Sequence, residues 1–285
     1  MAKAVDKYWL FGVRAHQDDT LLDALGRGNG KRRCGSRITP AEGAFMLGVP
    51  NIIMVTGDNA EPVPFTADAY QYCESFRPLK RVLWSSCGSG GWRNGNEEVF
   101  ICDLSRKYEN VCGAYLDDFL SRFGSKPEEH TDELFACIQE IRGKLSAAAR
   151  PMPVYVTAYM HNIQNVAKSV LDSLDGLVFW TWQSKELPLL PERFQQAEKA
   201  CPNHRKLLGI YMYDFTTREA VDMELMKFQC EFGLEMLKAG RLDGLVFEAN
   251  SVMGIGLPTE EYLREWIART RDIEVADYKH SLIQG

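Results

Sequence analysis

Eight times along 285 residues a run of apolar, β-branched or aromatic residues is followed by polar residues and then by a stretch of helical spacing. The runs are Trp9-Leu-Phe-Gly-Val-Arg-Ala-His16, Asn51-Ile-Ile-Met-Val-Thr-Gly-Asp58, Arg81-Val-Leu-Trp-Ser-Ser86, Gly113-Ala-Tyr-Leu-Asp-Asp118, Pro153-Val-Tyr-Val-Thr-Ala-Tyr159, Gly176-Leu-Val-Phe-Trp-Thr-Trp182, Gly209-Ile-Tyr-Met-Tyr-Asp214 and Gly244-Leu-Val-Phe-Glu-Ala-Asn250. Parallel strands need a long crossover, so strands separated by helix-length segments read as repeated βαβ units. Eight such units in a chain of this length predict an α/β fold, a single (β/α)8 or TIM barrel spanning 1–285. An open doubly wound sheet is the alternative, and no Gly-x-Gly-x-x-Gly turn follows the first run to favour it.

Composition bounds the partners. Hydrophobic residues make up 45% of the chain, enough for a large core, and no shift in composition marks a domain boundary. With 33 basic and 39 acidic residues the formal charge is -6, which disfavours nucleic acid and anionic membranes. No apolar stretch reaches the roughly 20 residues of a membrane span, and Met-Ala-Lys-Ala-Val-Asp lacks the apolar core of a signal peptide. A cytoplasmic location is therefore expected. The eight cysteines show no Cys-x-x-Cys pair, and reduced, mostly buried thiols are expected, with Cys73, Cys137 and Cys230 inside helices.

Local signals agree with the strand and helix rhythm. Thr131 is the expected N-cap of one helix, 218–239 another helix closed by Gly240, and Pro258-Thr-Glu-Glu261 the start of the last. Residues after 269 lose periodicity and predict a short helix with a frayed tail. Glycine-rich loops at 26–37 and 88–95, the second carrying an exposed Trp92, follow the first and third strands.

Side chains alternate along a strand, so parity selects those lining the barrel. Counting from the strand glycines places Glu248 and Asn250, Trp180 and Trp182, and Tyr115 and Asp117 inward, with Leu245 and Phe247 on the helix side. The same count gives Arg14 and His16, Thr56 and Asp58, Trp84 and Ser86, Thr157 and Tyr159, and Tyr211 and Tyr213. Asp118 and Asp214 have the other parity but sit at strand ends, where alternation breaks down.

Barrel enzymes work at the C-terminal strand ends. Here those ends carry carboxylates among Tyr and Trp, a mixture suited to neutral polyhydroxylated ligands: acids and amides hydrogen-bond hydroxyls, and aromatic faces cover sugar C–H faces. Glycosidic cleavage needs two carboxyl groups, one acid and one nucleophile or base. Asp117, Asp118, Asp214 and Glu248 are the catalytic candidates, and Arg14, His16, Asp58, Trp92, Tyr159, Trp182, Tyr213 and Asn250 the substrate-binding ones. Trp180 is expected to fill the barrel, and Trp182 to offer a sugar platform. Neither a cofactor nor a metal is called for, a small carbohydrate is the expected partner, and the oligomeric state is left open.

At Gly113-Ala-Tyr-Leu-Asp-Asp-Phe119, Phe179-Trp-Thr-Trp182 and Gly209-Ile-Tyr-Met-Tyr-Asp-Phe215 the chain resembles the β/α-barrel glycoside hydrolases, especially their poorly characterised bacterial members. In the large retaining clan of those barrels the acid/base is a Glu after an Asn ending strand four, and the nucleophile a Glu ending strand seven. The resemblance implies that Asp117 or Asp118 and Asp214 hold those places here, with neither the Asn-Glu pair nor the second Glu.

Three other readings stand beside a glycoside hydrolase. Ser251-Val-Met-Gly-Ile-Gly256, after the eighth strand and before a helix, suits phosphate and hence a phosphosugar lyase or isomerase. His16, Asp58, Asp117, His161 and Glu248 offer donors to a divalent metal, without tight ligand spacing. A barrel that binds sugar without cleaving it has the same signals and differs only in turnover.

Overall fold

The computed structural model describes residues 2–22, 35–56 and 67–279. Eight strands close into a parallel barrel in chain order: β1 (Tyr8–Gly12), β2 (Asn51–Thr56), β3 (Arg81–Gly88), β4 (Val111–Leu116), β5 (Val154–Tyr159), β6 (Gly176–Trp180), β7 (Arg205–Ile210) and β8 (Gly244–Phe247). The described helices are α1 (Asp19–Leu22), α2 (Pro40–Leu47), α3 (Ala67–Ser75), α4 (Glu97–Lys107), α5 (Thr131–Leu145), α6 (Lys168–Leu171), α7 (Leu190–Ala200), α8 (Met223–Lys238) and α9 (Pro258–Thr270). The (β/α)8 architecture read from the sequence is the observed one.

Contacts gather into two compact units, one holding Met1–Ile52, Trp180–Glu192 and Leu207–Lys279, the other Ile53–Phe179 and Arg193–Lys206. Their boundaries fall inside β2, β6, α7 and β7.

In the first unit β8 pairs with both β1 and β7, setting Val246 beside Trp9 and Gly209. Leu245 and Phe247 face the helices, as alternation requires. Gly233 of α8 leaves room for Leu245, and Phe247 packs edge-on against Trp266 of α9, with ring centroids 6.2 Å apart. On the other face Trp180 lies against Phe11 and Tyr211, and Gly209 has no side chain because a Cβ there would stand 2.0 Å from the Trp180 ring. Trp180 fills the interior layer expected of it.

In the second unit β4 pairs with β3 and β5, and Tyr115, Asp117 and Thr157 share one face. The inward placement expected of Trp84 is corrected. The pairing of β3 with β4, shifted in register at Cys112 of β4 before this point and at Ser86 of β3 after it, sets Ser85 opposite Tyr115, so Trp84 turns to the helix side and packs on Phe76 at 6.3 Å. A bulge advances one strand by a residue and reverses the faces beyond it.

Three local expectations also change. Thr131 is the first helical residue of α5, and His130 precedes it as the cap. Helix α8 starts at Met223, capped by the Asp222 carboxylate, because Arg218 is left-handed and Glu219–Ala220 pair with Tyr213–Asp214. Past α9 the chain forms no further helix among the described residues; Glu274–Val275 pair with Ala2–Lys3. Gly240 adopts the left-handed conformation expected of a helix end, at φ 72°. Cys73, Cys137 and Cys230 lie in helices as expected, and the described cysteines are free thiols. No described helix is long and apolar enough to cross a membrane.

Candidate active site

Glu248 follows the last residue of β8, and its side chain is 2% exposed. One oxygen, Oε2, accepts the backbone N–H groups of Met212 (2.5 Å) and Tyr213 (2.6 Å), just beyond β7. The other, Oε1, is buried without a hydrogen-bond partner among the described residues. Burial pushes this carboxyl well above the usual carboxylate range; the two N–H bonds oppose that, and the charges of Asp18 and Asp214 add to it. A proton on Glu248 would sit on Oε1, since Oε2 accepts both N–H groups.

Asp214 lies in the opposite environment. Burial alone would raise its pKa, but hydrogen bonds from Ser184 and Thr216 outweigh it and hold the group down to about 2. The Ser184 N–H reaches Oδ2 at 2.8 Å, while Oδ1 takes the N–H groups of Thr216 (2.8 Å) and Thr217 (3.2 Å) and the Thr216 hydroxyl (2.5 Å). Asp214 therefore stays ionised and also pins the turn after β7.

Around these two acids the first unit supplies aromatic surface. Trp182, 36% exposed, stacks on Phe215 with centroids 6.3 Å apart and planes within 15°. Tyr211 meets the Trp182 edge at 6.2 Å. The Tyr213 ring is buried, and its hydroxyl donates to the Leu21 carbonyl. Asn250 spends its amide on backbone: Nδ2 donates to Val13 O (2.9 Å) and Ile38 O (2.6 Å), and Oδ1 accepts the Val13 N–H (2.8 Å). Strand β1 ends at Gly12, so alternation does not carry to Arg14 or His16. Arg14 is half-buried; His16 is exposed, left-handed at φ 67°, with Nδ1 2.9 Å from Asp19.

Asp18, absent from the sequence-based candidates, belongs to this group. It immediately precedes α1, is half-buried, and accepts the Ser251 hydroxyl. Burial raises its pKa, against the Ser251 bond, and the neighbouring Asp19 adds to the rise. The signal available in the sequence was its place in His16-Gln-Asp-Asp19, directly after the first strand.

The second unit holds the other acids. Asp117 accepts the Thr157 hydroxyl at 2.8 Å, and Thr157 in turn lies 2.7 Å from the Tyr115 hydroxyl. Asp118 is left-handed at φ 48° and joins two loops, accepting the Tyr159 hydroxyl (2.6 Å) and the Gly90 N–H (3.1 Å). Trp92 is half-buried where exposure was expected, and its carbonyl accepts the Gly88 N–H at 2.7 Å. Asp58 lies outside the described residues.

The loop after β8 is already occupied where phosphate would bind. The Gly254 N–H donates to Glu260 Oε2 at 2.8 Å, so a carboxylate of this same helix α9 takes an anion's place. Among the described residues no three His, Cys, Asp or Glu side chains form a metal-ligand group.

The fold and these residues define a β/α barrel with buried acids and aromatic side chains at its C-terminal strand ends. No family model matches the chain, and no curated relative does. Solved structures match it as a fold. A candidate α-L-fucosidase from Bacteroides thetaiotaomicron aligns over 96% of both chains at 10% identity and a TM-score of 0.56. A glycoside hydrolase family 5 enzyme from Prevotella bryantii B14, solved with a xyloglucan tetradecasaccharide, covers 92% of this chain and 97% of its own at 15% identity, TM-score 0.54. The GH51 arabinofuranosidase from Xanthomonas axonopodis pv. citri covers 99% and 77% at 10% identity, TM-score 0.57. Barrels of the amidohydrolase type also match, at TM-scores of 0.49 and 0.46. At these identities the likeness is one of fold.

Proposed function

We propose that the chain is a carbohydrate-active hydrolase in which Glu248 protonates the leaving oxygen of a glycosidic bond. The observation carrying this reading is the pair of acids in the first unit with opposed environments, Glu248 kept neutral and Asp214 kept ionised. Opposed pKa values are how one site holds both an acid and an anion at neutral pH. Glu248 supplies the proton, and fixed negative charge at Asp214 favours the oxocarbenium-like transition state. Trp182 offers the face for a sugar ring. The glycoside hydrolase barrels among the fold matches agree with this class of substrate without naming one.

Asp117 and Asp118 are candidates in their own unit, each tested by its own substitution. Turnover of aryl glycosides and neutral oligosaccharides decides among the four acids. Glu248→Gln is expected to lower kcat by about 10²- to 10⁴-fold, the usual weight of a general acid. Full turnover by Glu248→Gln on a substrate the wild type cleaves ends the assignment.

A second reading, sugar binding without cleavage, is favoured by the deep burial of Glu248 and the complete hydrogen bonding of Asp214. Saturable binding of a saccharide that is never hydrolysed selects it.

A further inference from the structure

We propose a second binding site, at the opposite end of the strands from the candidate acids, that takes the carboxylate of a small organic monoanion through Arg150. It lies wholly within the second unit and does not depend on the carbohydrate reading.

The N-terminal strand ends position it. Strand β5 starts at Val154 and β6 at Gly176, while helix α5 ends at Leu145. Between the end of α5, the connection to β5 and Asp175 at the foot of β6 lies a cavity of about 610 Å³, a size that suits a small molecule. Asp117 and Asp118 follow the other end of β4, so the cavity is separate from them. Pro151 and Pro153 fix the backbone on either side of the buried Met152, which with Leu145 gives the cavity an apolar wall. A wall already ordered by folding does not have to be ordered again when a ligand binds.

Arg142, Arg150 and Asp175 are the charged side chains lining the cavity. Arg142 and Asp175 satisfy one another. Arg142 Nη2 donates to Asp175 Oδ2 at 2.6 Å and its Nε to the Ser173 carbonyl at 2.7 Å, and the same Oδ2 accepts the Val154 N–H at 2.7 Å. Arg150 is held differently. Its Nη1 donates to the carbonyls of Val111 (3.0 Å) and Tyr108 (3.4 Å), which orient the guanidinium without cancelling its charge. Among the described residues no carboxylate pairs with Arg150, and its Nε and Nη2 have no protein acceptor. Those two nitrogens share the edge that matches the two oxygens of a carboxylate. Arg77 uses that edge on Glu74, with Nε to Oε2 at 2.6 Å and Nη2 to Oε1 at 2.9 Å. An uncancelled guanidinium beside an apolar wall selects an organic anion, and the Asp175 carboxylate in the same lining opposes a dianion.

Titration of the full chain with benzoate, followed at the Arg150 Nε–H resonance by ¹H–¹⁵N NMR, tests the site. The resonance is assigned through its bonds to the Arg150 backbone. A saturable shift is expected, with a Kd of about 1 mM or tighter. Benzamide, which has the shape without the charge, and inorganic phosphate are expected to bind at least about tenfold more weakly. In Arg150→Lys, which keeps the charge and loses the fork, benzoate affinity read from the ligand's own resonances falls about tenfold or more. No saturation by about 10 mM benzoate, or saturation that leaves the Arg150 resonance unmoved, overturns the site. Benzamide or phosphate binding as tightly as benzoate overturns the carboxylate class, and undiminished affinity in a folded Arg150→Lys overturns the residue. The three wild-type titrations decide the proposal even if that variant does not fold.

Discussion

At the scale of single residues, Glu248 links stability to pH with a definite sign. Its folded-state pKa is raised, so between its ordinary value near pH 4 and the folded value the native chain keeps a proton that the unfolded chain has lost. Stability contributed by the neutral acid therefore declines as pH rises through that window. Gln mimics the neutral acid and does not titrate. Glu248→Gln is expected to melt with the wild type near pH 4 and progressively above it toward pH 7, and parallel melting curves at every pH would refute the neutral state. Asp214 has the opposite sign. Its depressed pKa of about 2 stabilises the fold above about pH 4 and loses that effect as pH falls toward 2. Asp214→Asn should cost about 2 kcal/mol at pH 7 by denaturant titration and little at pH 2. Nothing in the sequence distinguished these acids, since the sign depends on a balance: the Ser184 and Thr216 bonds outweigh burial at Asp214, and burial outweighs the two backbone N–H bonds at Glu248.

Elements explain which parts of the site parity reached. The β8 count was right because β8 is regular, four residues long, with both faces packed. Strand β3 defeated the same count, since it is buried on both faces and register shifts leave no trace in the pattern. Strand β7 begins at Arg205, four residues before the run that marked it, because a charged pair opens it and Lys206 is buried despite its charge. Its Nζ is satisfied by the His204 carbonyl at 3.1 Å. Asn250 was legible as a polar residue at a strand end, but its task was not. The loop after β1 runs back past β8, and the Asn250 amide meets three backbone groups there. Removing it leaves those groups buried without a partner, at about 1–3 kcal/mol each. Asn250→Ala is expected to cost about 3 kcal/mol or more in chemical denaturation, and Asn250→Asp at least as much, since a carboxylate cannot donate to the Val13 and Ile38 carbonyls. A loss of sugar affinity with unchanged stability would assign the amide to the ligand instead.

At the scale of the molecule, eight strand–helix repeats were readable because period-two and period-3.6 patterns alternate without interruption, and the barrel follows from their number. What such a barrel binds is a separate question, and the ligand's effect on global stability answers it without assuming chemistry. A ligand present at 100 times its Kd adds about 2.7 kcal/mol to the folded state. For a chain of this size that is a rise of several degrees in Tm. Neutral oligosaccharides are expected to give such a rise, and Trp182→Ala to abolish most of it when each variant is compared with its own unliganded Tm, since the 36% exposed ring also packs on Phe215 and Tyr211. Sugar phosphates should do no better than their neutral parents, because Glu260 already fills the Gly254 N–H. Glu260→Gln would remove that charge, and a phosphate-dependent rise appearing only in this variant would show the carboxylate standing in for the anion. A phosphate-dependent rise in the wild type, insensitive to Trp182→Ala, would instead move the ligand to the loop after β8 and displace the carbohydrate reading.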